Sequence, residues 1–431
     1  MVETGIGARA CIGYLVVASL FALCGAARAN PSFGDWLEQG TPIVDLRARY
    51  EGVDDKSKSL FAGAATMRAR LGYETATWND LSLAFDFDAL FAIGAANYNS
   101  TRNGKTAYPT VGDPEMATLN RLQLTYATGR DTKIVVGRQR LQFGDQRFIG
   151  NSGWRQHEQT FDAVTLVNTS VDHLTLTYSY VERVNRVYGP NNPVPVTGAT
   201  GHFGSNSHLF NALYTGVPGL KLEGYFYLLD LSQNGPPASV LTTSRLSTAT
   251  YGARAEYRAA LSDGLGGQVD STFAHQSNYA NNPLSLSLDY WLMEGSLSYE
   301  GLTGLVGYEA MGGDGTVGFS TPLASLHPFD GLANMFLTTP ANGIDDFYLK
   351  GSYAIPGILG TKNLSATIAY HDFRTDRTDV GIGTEWDATL ELAIDQRASF
   401  LLGVADYQGA GVGFGGFKDK STLWLQAAYK L

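Results

Sequence analysis

Along most of the chain, apolar and polar residues alternate with a period of two, the mark of strands with one apolar and one polar face. In 43–51, Val44, Leu46, Ala48 and Tyr50 alternate with Asp45, Arg47, Arg49 and Glu51. In 66–74, Met67, Ala69, Leu71 and Tyr73 alternate with Thr66, Arg68, Arg70 and Glu74. In 81–91, Leu81, Leu83, Phe85, Phe87, Ala89 and Phe91 share a face, with Asp86 and Asp88 opposite. The same pattern predicts strands near 120–127, 132–141, 160–168, 173–182, 208–215, 219–230, 249–259 and 267–276. It continues near 289–300, 304–311, 344–354, 363–373, 384–394, 397–407 and 421–431, eighteen strands in all.

The connections alternate too. Even ones are short: 75–80, 128–131, 168–172, 216–219, 260–266, 301–303 and 395–396, with 355–362 somewhat longer. Odd ones are long: 92–119, 142–159, 183–207, 231–248 and 312–343. A β-sandwich has no reason to alternate in this way, whereas an up-and-down barrel threaded through a membrane does. In hydrocarbon every backbone group must pair internally, so a β-protein spans only as a closed barrel. The expected fold is therefore an all-β transmembrane antiparallel barrel of about eighteen strands, one domain over 30–431. Tyr50, Tyr73, Trp78, Tyr126, Tyr180, Tyr290, Trp291, Tyr299, Tyr308, Tyr353 and Tyr370 fall where interfacial aromatics belong. The alternation of Leu423, Leu425, Ala427, Tyr429 and Leu431 reads as the closing strand.

Composition narrows the alternatives. Charged residues make up 17% of the chain, below the ~25% usual for a soluble globular protein, and glycines number 50. The net charge of −10, with no basic block, argues against nucleic acid as a partner. Both cysteines, Cys11 and Cys24, flank an apolar stretch preceded by Arg9 and followed by Ala27-Arg28-Ala29. That is the form of a secretory signal peptide over 1–29. The exported remainder has no thiol and needs no disulfide. Its expected address is the outer membrane, with lipid and the barrel assembly machinery as partners.

The candidate chemistry is a set of arginines. If Val44, Leu46, Ala48 and Tyr50 face lipid, Arg47 and Arg49 face the lumen, and the same parity turns Arg68 and Arg70 inward. An arginine on the lipid face near the midplane costs about 2–4 kcal/mol, which fixes the phase of both strands. Arg121, Arg254 and Arg258 read inward similarly; Arg138 and Arg140 share a face. Two roles are open: an electropositive constriction selecting anions, or a ladder of salt bridges with Asp45, Asp86, Asp88 and Glu256 that stiffens the wall.

The stretch Val136-Gly-Arg-Gln-Arg-Leu-Gln-Phe-Gly-Asp-Gln-Arg-Phe-Ile-Gly150, running on through Trp154, Arg155, His157 and Glu158 to Asp162, resembles the alginate export porins of Gram-negative bacteria. His327-Pro-Phe-Asp-Gly331, Phe336-Leu-Thr-Thr-Pro340, Tyr370-His-Asp-Phe373 and Gly383-Thr-Glu-Trp-Asp387 extend the resemblance. It implies an eighteen-stranded outer-membrane barrel with an arginine-rich selectivity pore for alginate or another anionic polysaccharide, or for small anions. By the motif it places Arg138, Arg140, Arg155 and Asp162 in that pore, and, by strand and phase, Arg47 and Arg70. Arg49 and Arg68 join them by parity alone. The alternatives are an outer-membrane enzyme and a general porin or surface-recognition barrel. Against an enzyme, His157-Glu158 lacks the second histidine of a zinc protease helix, and no nucleophile elbow is present. No cofactor or metal is implied.

Overall fold

The computed structural model describes residues 32–190, 192, 200–232, 243–411 and 416–431. The signal peptide read over 1–29 lies outside them, as do parts of the connections 183–207 and 231–248. A six-residue helix, α1 (Phe33–Glu38), is capped at its start by the Ser32 hydroxyl and leads into the first strand. The first nine strands are β1 (Thr41–Asp55), β2 (Ala62–Glu74), β3 (Leu81–Asn97), β4 (Met116–Thr128), β5 (Thr132–Gln139), β6 (Thr160–Val171), β7 (Leu174–Asn185), β8 (His202–Val217) and β9 (Leu220–Leu228). The second nine are β10 (Thr248–Ser262), β11 (Leu265–Asn278), β12 (Ser287–Tyr299), β13 (Leu302–Met311), β14 (Ile344–Pro356), β15 (Asn363–Arg374), β16 (Gly381–Ala393), β17 (Ala398–Gly409) and β18 (Lys420–Lys430). Each pairs antiparallel with the next, and a two-residue strand, Leu231–Ser232, adds to the edge of β8.

Closure comes from the ends of the chain: β18 pairs with β1 from Asp45↔Lys430 to Asp55↔Lys420. The sheet therefore has no free edge, as a bilayer demands. All but the eight-residue β5 have 9 to 17 residues, long enough to cross it. At one end of the barrel the turns are minimal, between Val171 and Leu174, Val217 and Leu220, Ser262 and Leu265, and Tyr299 and Leu302. Glu300 and Gly301 both have positive φ, 44° and 85°, the twist a two-residue hairpin needs. All the long connections leave from the other end.

The outward face is apolar: Leu71, Phe87, Val269, Trp291, Met293, Val306, Leu349, Ile368 and Trp386 are all exposed. Cross-strand aromatic neighbours run round part of it, Tyr178 beside Phe210 (4.8 Å) and Phe273 beside Trp291 (4.4 Å). Of the aromatics read as interfacial, Tyr290 is misplaced. It shares a face with Leu288 and Leu292, points inward and is fully buried, because two loops fill the space in front of it. Lipid-facing positions should reject charge. Ile368→Arg should destabilise the barrel by about 2–4 kcal/mol in refolding into vesicles, while Thr367→Arg, on the lumenal face one residue away, should cost less than 1 kcal/mol.

Candidate functional site

The lumen is filled in part by the β5–β6 connection, 140–159, and the β13–β14 connection, 312–343. Both enter because they carry large apolar side chains that have no other place to hide. Leu141, Ile149, Phe319, Leu323 and Phe336 form one core with the inward wall residues Phe161, Tyr227, Tyr290 and Phe373. The Phe148 ring lies 5.3 Å from both Tyr225 and Tyr290, and Phe336 lies 4.8 Å from Phe373. The loops also bind each other: Gly150 N–H donates to Leu323 O (2.9 Å), and Ser325 N–H to Gln146 O (3.0 Å).

Loop backbone inside a barrel must still find partners, and the wall supplies them by charge. On β1 and β2 the suppliers are guanidiniums. Arg47 donates to Gln156 Oε1 (2.8 Å), to Gly153 O (3.0 Å) and to Arg155 O. Arg68 donates to Gln156 O (3.2 Å) and pairs with Asp45. Arg70 forks onto Asp88 (2.7 and 3.0 Å) and reaches Glu158 (2.7 Å). Arg140 joins the same Glu158 from the loop itself (2.8 Å), and His157 Nδ1 meets Asp88 (2.9 Å). Burial pushes the Glu158 carboxyl up, but Arg70 and Arg140 outweigh it and hold the group down at about 2. Arg49 bonds Gln426 (3.1 Å) and lies 4.2 Å over the Trp154 ring. Trp154 in turn stacks at 3.9 Å on His327 of the other loop. Burial, then the nearby Arg155 charge, hold His327 well below the usual histidine range, so the stack is cation, indole and neutral imidazole.

On the far wall the suppliers are carboxylates. Ala333 N–H donates to Glu385 (2.7 Å) on β16, and Leu332 N–H to Asp387 (3.1 Å). Gly331 turns with φ 80°, and a Cβ there would lie 2.6 Å from the Glu385 carboxylate, so only glycine brings the segment this close. Arg147, 1% exposed, crosses from the first loop to Glu309 on β13 (2.6 Å) and to Asp330 in the second loop (2.7 Å). Arginines thus dock one loop and acids dock the other.

Among the described residues, the loops leave open a cavity at each of two opposite ends. One, of about 530 Å³, lies on the long-connection side and is lined by Glu51, Asp55, Lys58, Arg155, Arg186 and Lys420 among others. The other, of about 660 Å³, lies on the short-turn side, with Lys133, Arg140, Asp145, Lys221, Glu223, Arg254 and Glu256. A closed barrel with two inward loops and a cavity at each mouth is the architecture of a channel.

Residues 45–179 match the alginate export family. Solved structures with the same fold are outer-membrane porins. Acinetobacter baumannii OccAB2 superposes with a TM-score of 0.70 at 13% identity, covering 92% of this chain and 99% of that one. Pseudomonas aeruginosa OpdK, solved with vanillate, gives 0.67 at 14% identity, with 92% and 99% covered. Pseudomonas aeruginosa OpdL gives 0.66 at 16%, with the same coverage. No curated protein sequence is matched. The chain has the fold of an outer-membrane porin.

The segment matched to the alginate export family holds the arginine wall and the whole first loop. Within it, Arg47, Arg49, Arg68, Arg70, Arg140 and Arg155 converge on that loop, but only Arg140 and Arg155 line a cavity. Arg138 and Asp162 do not join them. Val135 and Gln139 face in, so the residue between Gly137 and Gln139 faces out. Arg138 is in register with exposed Leu122 on one side and Asp162 on the other, and the two charges bind each other on the outer wall (2.7 and 3.1 Å). The expected shared face of Arg138 and Arg140 fails because Arg140 has already left the strand, which ends at Gln139.

Sequence reasoning gave no role to Arg147, Glu385 or Asp387. The two acids alternate with lipid-facing Trp386, a signal of the same kind that revealed the arginines. Arg70→Met should leave Asp88 and Glu158 short of a partner, costing about 3–5 kcal/mol and exposing 140–159 to protease. Because the Glu158 carboxyl is held at about 2, its contribution is complete above about 4.5 and disappears as pH falls from there towards 2. Pepsin should therefore spare the loop at pH 4.5 and cut it at pH 2.

Proposed function

We propose that the chain is an outer-membrane channel for an anionic solute of the uronate class, alginate-derived or related, with residues 1–29 removed on export. The observation that carries this reading is the charge in the cavity at the long-connection mouth. Four cations (Lys58, Arg155, Arg186 and Lys420) line it against two acids, Glu51 and Asp55. In a chain of net charge −10 that local excess is the opposite of the average. Low-dielectric walls focus such a field and raise the local concentration of an anion. Arg155 in this cavity and Arg140 in the other contribute to selection. Arg47, Arg49, Arg68 and Arg70 act one step back, fixing the loop that carries them. Arg138 and Asp162, on the outer wall, are outside the path.

Cavities of about 530 and 660 Å³ suit monomers and short oligomers better than a long polymer. The match to the alginate export family supports the uronate class, and the vanillate in OpdK shows that a porin of this fold accommodates a small carboxylate. Lipid against the outward face and delivery by the barrel assembly machinery complete the proposal.

Reversal potentials in planar bilayers test it. The wild type should prefer anions, more strongly at 0.1 M salt, where screening acts over ~10 Å, than at 1 M. Lys58→Glu with Lys420→Glu should move selectivity towards cations. A cation-preferring wild type, or an unmoved potential in the double variant, would sink the reading.

A further inference from the structure

The two cavities have one lining residue in common among the described residues, Gln142. It stands just past Arg140, at the start of the first infolded loop, and its side chain is exposed to the passage rather than packed in the core. The shared lining residue puts this side chain where the two cavities meet. The group at that junction is neutral, although charged residues line both cavities.

The amide of Gln142 is also oriented. Glu158 accepts from Asn151 Nδ2 (2.8 Å), which turns Asn151 Oδ1 towards Gln142 as an acceptor. Gln142 Nε2 donates to that oxygen at 3.0 Å and, at 3.3 Å, to Gln146 Oε1. Gln146 Oε1 in turn accepts from the Ser325 hydroxyl (2.9 Å), so the amides tie the first infolded loop to the second. With both donor contacts turned to the loop, Gln142 presents its carbonyl oxygen to the passage. A lone acceptor attracts a hydroxyl and repels a carboxylate. Such a group at the junction suits a solute with charge at one end and hydroxyls along its length.

We propose that Gln142 is the gate between the two cavities and that it selects hydroxylated carboxylates, the cationic mouth steering the carboxylate and the Gln142 carbonyl accepting from a hydroxyl. This rests on the channel reading above and goes beyond it by naming the residue and the feature of the solute it reads. Because Gln142 is exposed, its substitution leaves the buried docking contacts of both loops in place.

The test is single-channel conductance together with uptake into liposomes, using glucuronate and hexanoate as probes. Gln142→Ala should raise conductance about twofold and Gln142→Trp should lower it at least as much, with anion preference unchanged in both. The wild type should admit glucuronate several-fold faster than hexanoate, and Gln142→Ala should erase that difference. Gln142→Glu, nearly isosteric, should shift the reversal potential towards cations more than Gln123→Glu, which makes the same charge change in the short-turn cavity away from the junction. A wild type that conducts anions while Gln142→Ala and Gln142→Trp leave conductance unaltered would overturn the gate and leave the channel reading standing. Gating by size with equal glucuronate and hexanoate rates would overturn the selection of hydroxyls. A wild type with no conductance would remove the channel reading and the gate with it.

Discussion

The constraint on which this structure turns is that a peptide group brought inside a barrel still needs a hydrogen-bond partner. The wall strands spend their own N–H and C=O groups on one another, so an infolded loop can be satisfied only by side chains, by itself or by water. This protein uses side chains of opposite sign on opposite walls. Guanidiniums of β1 and β2 take up carbonyls at Gly153, Arg155 and Gln156. Carboxylates of β16 take up amides at Leu332 and Ala333. Charge on the wall and polarity of the backbone are matched piece by piece.

The same arrangement decides what the arginines can do. A buried charge is costly unless paired and hydrogen-bonded; of the wall arginines, Arg68 and Arg70 meet both conditions, while the contacts of Arg47 and Arg49 are hydrogen bonds to neutral groups. Arg70 has Asp88 and Glu158, and Arg68 has Asp45. A guanidinium committed in this way and lining no cavity has little field left for a passing solute. The cations that line the cavities sit on loops and strand ends. Selection and scaffolding are therefore divided between different residues, even though all are basic.

Much of this was written in the sequence. The period of two located all eighteen strands, because a lipid-facing residue and a lumen-facing one differ in polarity at every step. The penalty for arginine in lipid fixed the phase of β1 and β2. Where phase failed, at Arg138 and Asp162, the two charges neutralise each other near the loop end of the wall, where polarity no longer separates inside from outside. Tyr290 failed for the converse reason, since an apolar loop turned part of the lumen into a core. The loop contacts themselves were not legible: Arg147 and Glu309 are 162 positions apart, and no local pattern announces that they meet.

The placing of the two loops has a consequence for how the chain comes together. The arginine wall and the loop it docks fall within 41–159, and the acidic wall and its loop within 302–393. Each loop therefore finds charged docking partners close by in sequence, and contacts that cross between the halves are made inside the lumen, loop to loop at Trp154 and Ser325 and, at Arg147, to both the second loop and β13. The barrel consists of two self-docking arcs that meet along a seam of side chains. An N-terminal arc could organise its own interior before the C-terminal arc arrives, and closure of β18 on β1 would then press two prepared surfaces together.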